Sequence, residues 1–165
     1  MIALNIVDVK DFMSKVLVKN TFDKFYLCDG EIQTFTAFSF GGRLNAGYYS
    51  ADEQEALLGR EQPLWHELKP FAYQLIRGKK LPISFKLVFA LSRENVEWLI
   101  AHHQLKVSAA DVGGLFLNIK YENKTAACVT GTSFKTFVMD KTLERVWDVT
   151  ALQFMKQNEI AVEQM

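Results

Sequence analysis

The stretch "CDGEIQTFTAFSFGGRL" (28–44) and the later stretch "YENKTAACVTGTSFKTF" (121–137) read alike. Each has a short polar turn signal flanked by apolar residues alternating with small polar ones, the pattern of a half-buried antiparallel hairpin. Asp29-Gly30 is a favoured two-residue turn pair and predicts the first hairpin, with strands over 24–28 and 31–40. The second turns near Glu122-Asn123-Lys124. Gly41-Gly42 breaks or bulges the first hairpin's second strand, and residues 43–49 offer another strand.

Working outward, the chain repeats more than the hairpin. "IALNI" (2–6) reads as a strand. Asp8 is placed to cap the helix that follows, with Asp11 three residues on, and Val9, Phe12, Met13 and Val16 share one helical face. The second half opens the same way: "ISFKLVFALS" reads as a central strand with apolar residues on both faces. Ser92 or Asn95 caps "ENVEWLIAHHQ". Leu4, Asp8, Val9, Phe12 and Met13 correspond at one constant offset to Leu91, Asn95, Val96, Leu99 and Ile100. Thr36-Ala37-Phe38 falls near Thr130-Gly131-Thr132, and the closing "QLIRGK" (74–79) resembles "QFMKQN" (153–158). Between the halves, "SADEQEALLGREQ" (50–62) is a polar surface excursion with a short helical look. Pro63 suits a helix first turn, Pro70 restarts or kinks that helix, and Gly78 stops it. A last helix runs from after Asp140 to about residue 157, and "AVEQM" at the end looks frayed. The expectation is one α+β domain over 1–165. Two pseudo-repeated strand–helix–hairpin–helix halves, 1–80 and 81–160, build antiparallel sheets packed on helices.

Composition bounds the function. The 165 residues are 49% hydrophobic and 23% charged, and the 13 phenylalanines predict an aromatic core. Lysine plus arginine and aspartate plus glutamate are 19 each, so there is no basic excess of the kind that drives non-specific nucleic-acid binding. A local basic patch balanced by an acidic one remains open. Asp8, Lys10 and Asp11 interrupt any signal-peptide core, and no apolar run reaches membrane-spanning length. The expectation is a cytoplasmic protein without a membrane partner. Cys28 and Cys128 lie in apparent strands with no partner at metal-ligand spacing and read as free thiols.

The run "FALSRENVEWLIAHH" (89–103), followed by "GGLFLNIKYENKTAACVTGTSFKTFVMD" (113–140), resembles the strand–helix–hairpin unit of bacterial DNA sliding clamps. The shared features are a strand ending in Leu-Ser, an apolar helix, a glycine before the hairpin and a Thr-Gly strand. The chain also resembles small uncharacterised proteins of Gram-positive bacteria. The clamp resemblance implies a fold of paired β-α-β-β-β units and association of chains through sheet edges. It does not carry over the ring, because clamps join two or three such domains per chain. Nor does it carry over the DNA-lining charge. The outer side of the first helix offers Lys10, Ser14 and Lys15 but also Asp11, and that of the matching helix offers Glu97, Trp98, Ala101 and His102.

Several residues are candidates for contact or chemistry. Trp98 lies opposite the Val96–Leu99–Ile100 stripe, where it is either an interface anchor, with His102 beside it, or is covered by the closing helix. Arg77, Lys79 and Lys80 form the one compact basic cluster. They either complement a helix C-terminus and solvent or, with Arg60, Lys69 and Lys86, make a nucleic-acid contact. "FGGRLNAG" reads as a strand bulge, or as a phosphate cradle with Arg43 as its cation. His102 and His103 point about 100° apart on a helix and do not share an ion with ease, and "WHELKP" lacks the second histidine of a zinc-protease signature. No G-x-S-x-G turn marks a nucleophile. No cofactor, metal site or catalytic residue is predicted. The expected function is a non-catalytic binding or scaffold protein whose partner is a second copy or another protein, with a DNA-associated accessory role and a small-molecule enzyme or sensor as the alternatives.

Overall fold

The computed structural model describes all residues 1–165. The elements run β1 (Ala3–Ile6), α1 (Val9–Leu17), β2 (Tyr26–Gln33), β3 (Ala37–Gly41), α2 (Ala51–Ala56), α3 (Trp65–Ile76), β4 (Ser84–Ala90), α4 (Arg93–His102), β5 (Val112–Glu122), β6 (Thr125–Phe134), α5 (Thr142–Gln157) and β7 (Val162–Gln164). All seven strands join one antiparallel sheet in the order β3-β2-β4-β5-β6-β1-β7.

Alternation along each strand decides which face is covered. Leu27, Ile32, Phe85, Leu87, Phe89, Leu117, Ile119 and Tyr121 are buried, while Glu31, Lys86, Asn118 and Lys120 between them face the other way. The buried set packs against Phe12 and Val16 of α1, Trp65 and Ala72 of α3, and Leu143, Trp147, Ala151 and Met155 of α5 in a single cluster of 28 residues. At its centre Phe22 contacts Phe12, Phe25, Phe89 and Phe154, with ring centroids 5.3–5.9 Å apart. The expected aromatic core is present, and it is helix-on-sheet.

The order of elements in each half is the predicted one, but the strand pairing is not equivalent. β4 lies between β2 and β5, whereas β1 lies between β6 and β7. One sheet therefore replaces the expected pair of sheets.

Local differences have local causes. Asp29-Gly30 is no turn: it lies inside β2, just past a bulge between Leu27 and Asp29. Gly30 sits where a Cβ would meet Leu87 at 3.3 Å and Phe40 at 3.4 Å, so the glycine serves close packing. The chain turns instead at Thr34–Thr36, closed by Thr34 N–H donating to Thr36 O. The second hairpin turns where expected. Asn123 (φ 53°) and Lys124 (φ 61°) are both left-handed, as a type I′ turn requires. Residues 43–49 are not a strand but contain a short 3-10 turn over Ala46–Tyr48. Pro70 lies inside a continuous α3. The end of the chain is not frayed: β7 pairs with β1, Asn5 opposite Glu163. Lys15, expected at the solvent side of α1, is buried, bonding Asp11 and donating to Glu159 O at 2.9 Å.

Candidate functional site

α4 begins at Ser92, whose hydroxyl accepts from Asn95 N–H, so Ser92 rather than Asn95 is the cap. Val96 and Leu99 are buried beneath it. Trp98 and His102, one turn apart on the outer side, stack with centroids 4.5 Å apart and planes at 11°. Trp98 is 58% exposed, so the closing helix α5 does not cover it. The His103 ring stands perpendicular to His102. No three histidine, cysteine or acidic side chains gather as metal ligands would.

The predicted basic cluster is divided. Arg77, Lys79 and Lys80 are exposed in the connection from α3 to β4 and form no ion pair. Arg60 does not join them. Its guanidinium binds Glu67 bidentately at 2.8 and 2.9 Å, and this pair raises the Arg60 pKa and holds the Glu67 carboxyl below the usual carboxylate range. Lys69 is held by Asp23 and by Lys19 O. Lys86 is exposed on the uncovered face of β4. The sequence reading missed Lys124. Ser84 lies opposite both Gln33 and Glu122, which brings the 123–124 turn to the same end of the sheet as the 77–83 connection.

The other end of β2, β4 and β5 opens into a cleft of about 1030 Å³ between residues 56–62 and the start of α4. Tyr26, Cys28, Arg60, Arg93, Phe116 and Lys135 are among its lining residues. The excursion is tied down by Leu44 N–H donating to Glu61 O and by Gln62 Nε2 donating to Cys28 Sγ at 3.0 Å. Arg43 borders a separate depression of about 350 Å³ with Leu44, Gln54 and Glu61. No helix of eight or more residues begins at that depression.

Neither thiol is activated. Burial raises the Cys28 pKa, and it pushes buried Cys128 up to about 12. Because a thiol with a raised pKa keeps its proton longer in the folded state, Cys128 stabilises the fold fully below about 9 and that contribution falls as pH rises from about 9 to about 12. In native protein at neutral pH, a thiol reagent is expected to label Cys28 slowly and Cys128 only after denaturation. Equal labelling rates for the two thiols in the native state would contradict the buried placement of Cys128.

A model of a family of unknown function (DUF5721) matches residues 15–163. The chain belongs to the DUF5721 family. The matched span includes both the cleft and the basic end of the sheet, and leaves out β1 and the Asp8 cap. No curated protein and no solved structure matches the chain, and no structural neighbour supports the likeness to sliding clamps drawn on 89–140.

Proposed function

We propose that the chain is a non-catalytic binding module that acts by protein association, in the first instance with a second copy of itself. The observation that carries this reading is the β3 edge. Its five residues, Ala-Phe-Ser-Phe-Gly, contain no charge and no proline, the devices by which edge strands are usually kept from pairing. Phe38 and Phe40 lie opposite Ile32 and Gly30, hence on the helix-covered face, and both remain half-exposed. Antiparallel pairing of two β3 strands about Ser39 sets Phe38 of each copy against Phe40 of the other and continues the aromatic layer across the junction. Outward-facing Trp98 supports the same class of function, as a large aromatic surface available to a partner.

Sedimentation velocity across a concentration series tests the reading. A reversible dimer is expected, and Ser39→Lys, which sets two like charges opposite each other on an uncovered sheet face, is expected to leave a monomer. A strict monomer at the highest concentration, or a dimer indifferent to Ser39→Lys, overturns self-association through β3.

A further inference from the structure

One end of the sheet joins unpaired cations to exposed apolar tips. Ile83 N–H donates to Gln33 O at 2.8 Å, so the 81–83 segment lies beside the end of β2 and the Thr34–Thr36 turn. The Asn123–Lys124 turn flanks the same segment from the β5 side, by the register of Ser84 with Glu122. Three connections, 34–36, 77–83 and 123–124, therefore share one end. The apolar side chains there are Phe35, 92% exposed, Leu81, 60%, and Ile83, 65%. Phe35 meets Phe38 edge to face at 5.8 Å, which gives this outward ring a fixed base. Arg77, Lys79 and Lys80 lie on the same connection as Leu81 and Ile83, and Lys124 on the turn at the same end, none of them in an ion pair. Of the carboxylates near this end, Glu122 is held by Lys120 at 2.6 Å, and Glu31, in register with Lys86, accepts from Gln33 Nε2 at 2.7 Å. A chain of zero net charge thus carries a locally positive, apolar-tipped pole.

We propose that this pole docks the protein peripherally on an anionic lipid bilayer, with Phe35, Leu81 and Ile83 entering the headgroup–acyl boundary and the four cations meeting lipid phosphates. The aliphatic tips decide between a lipid surface and a nucleic acid. Bases would stack on Phe35, but Leu81 and Ile83 neither stack nor hydrogen-bond, and they gain free energy only by leaving water for an apolar medium. Lysine and arginine beside such tips place charge at the headgroup level while their stems lie along apolar surface. No helix of the chain is long and apolar enough to cross a membrane.

Co-sedimentation with phosphatidylcholine vesicles, with and without phosphatidylglycerol, tests the proposal. Binding is expected to the anionic vesicles alone and to weaken as salt is raised. Lys79→Glu with Lys80→Glu is expected to lower partitioning at least about tenfold, and Phe35→Ser with Ile83→Ser about tenfold as well. Phe35→Trp adds a reporter whose emission shifts to the blue on binding. Absence of binding to anionic vesicles at low salt overturns the proposal, as does binding that neither double variant alters. Capture by a single-stranded oligonucleotide, with anionic vesicles leaving the protein in solution, overturns it in favour of nucleic acid.

Discussion

Replacing Trp65 by alanine is expected to lower stability by about 4 kcal/mol. Trp65 is fully buried at the first position of α3. Its ring lies 5.1 Å from Phe89 on β4, and its Nε1 donates to Val16 O at 2.7 Å. That carbonyl belongs to the last turn of α1, where carbonyls have no intrahelical donor. One side chain therefore packs the core against Phe89 and caps the end of a neighbouring helix. Alanine would leave a cavity and a buried, unpaired acceptor. Single domains are stable by only about 5–15 kcal/mol, so the variant should show a large downward shift of its urea midpoint. Trp65→Phe helps to separate the two contributions: it keeps most of the ring volume but leaves Val16 O without its donor, at a cost of about 2 kcal/mol. Equal midpoints for the alanine variant and the parent would mean that the α1–α3–β4 junction does not hold the fold together.

What could be read from the sequence was what neighbouring residues decide among themselves. The Asp8 cap accepts from Asp11 N–H as its spacing implies, Val96 and Leu99 bury the inner face of α4, and Asn123-Lys124 turns the second hairpin. Asp29-Gly30 misled because the same dipeptide that makes a turn also fits a bulged strand, and the choice was made by Leu87 and Phe40 pressing on Gly30 across the sheet. β7 was missed for a similar reason. Three residues of "VEQ" have little strand signal, and they are ordered by the free edge of β1, which no local pattern reveals. The place of β1 beside β6 is likewise a consequence of the assembled sheet.

The candidate sites divide along the same line. Trp98 and the 77–80 cations were visible because helical spacing and charge runs are local. Arg60 and Lys69 were grouped with the cluster on composition, yet each meets its own carboxylate, Glu67 and Asp23, once the chain folds. Phe35 and Lys124 lie far apart in sequence and come to one end of the sheet only through the registers of β2, β4 and β5. A surface assembled from three turns has no sequence motif, which is why the positive, apolar-tipped pole emerges only from the topology.

Gly42→Ala is expected to be the most disruptive single-methyl change, at about 3 kcal/mol, the upper end of what overpacking usually costs. A Cβ at Gly42 would lie 1.8 Å from Cys28 O, 2.3 Å from its carbonyl carbon and 2.6 Å from its Cα. All three are backbone atoms of β2 at its bulge, so no side chain can swing aside, and either strand or excursion must shift. Gly114→Ala makes the useful contrast. Its Cβ would meet the Phe116 ring at 2.3 Å, and a ring at the rim of the cleft can rotate away at lower cost. Gly47→Ala meets nothing within 4 Å and should be close to neutral. Shifting the excursion also pulls Gln62 from Cys28 Sγ, so Gly42→Ala should speed the labelling of Cys28 while Cys128 stays protected. Thermal melts of the three variants, run with a thiol-labelling time course, check the order Gly42 over Gly114 over Gly47. If Gly42→Ala behaved like Gly47→Ala, the close approach of Gly42 to the β2 backbone at Cys28 would have to be abandoned.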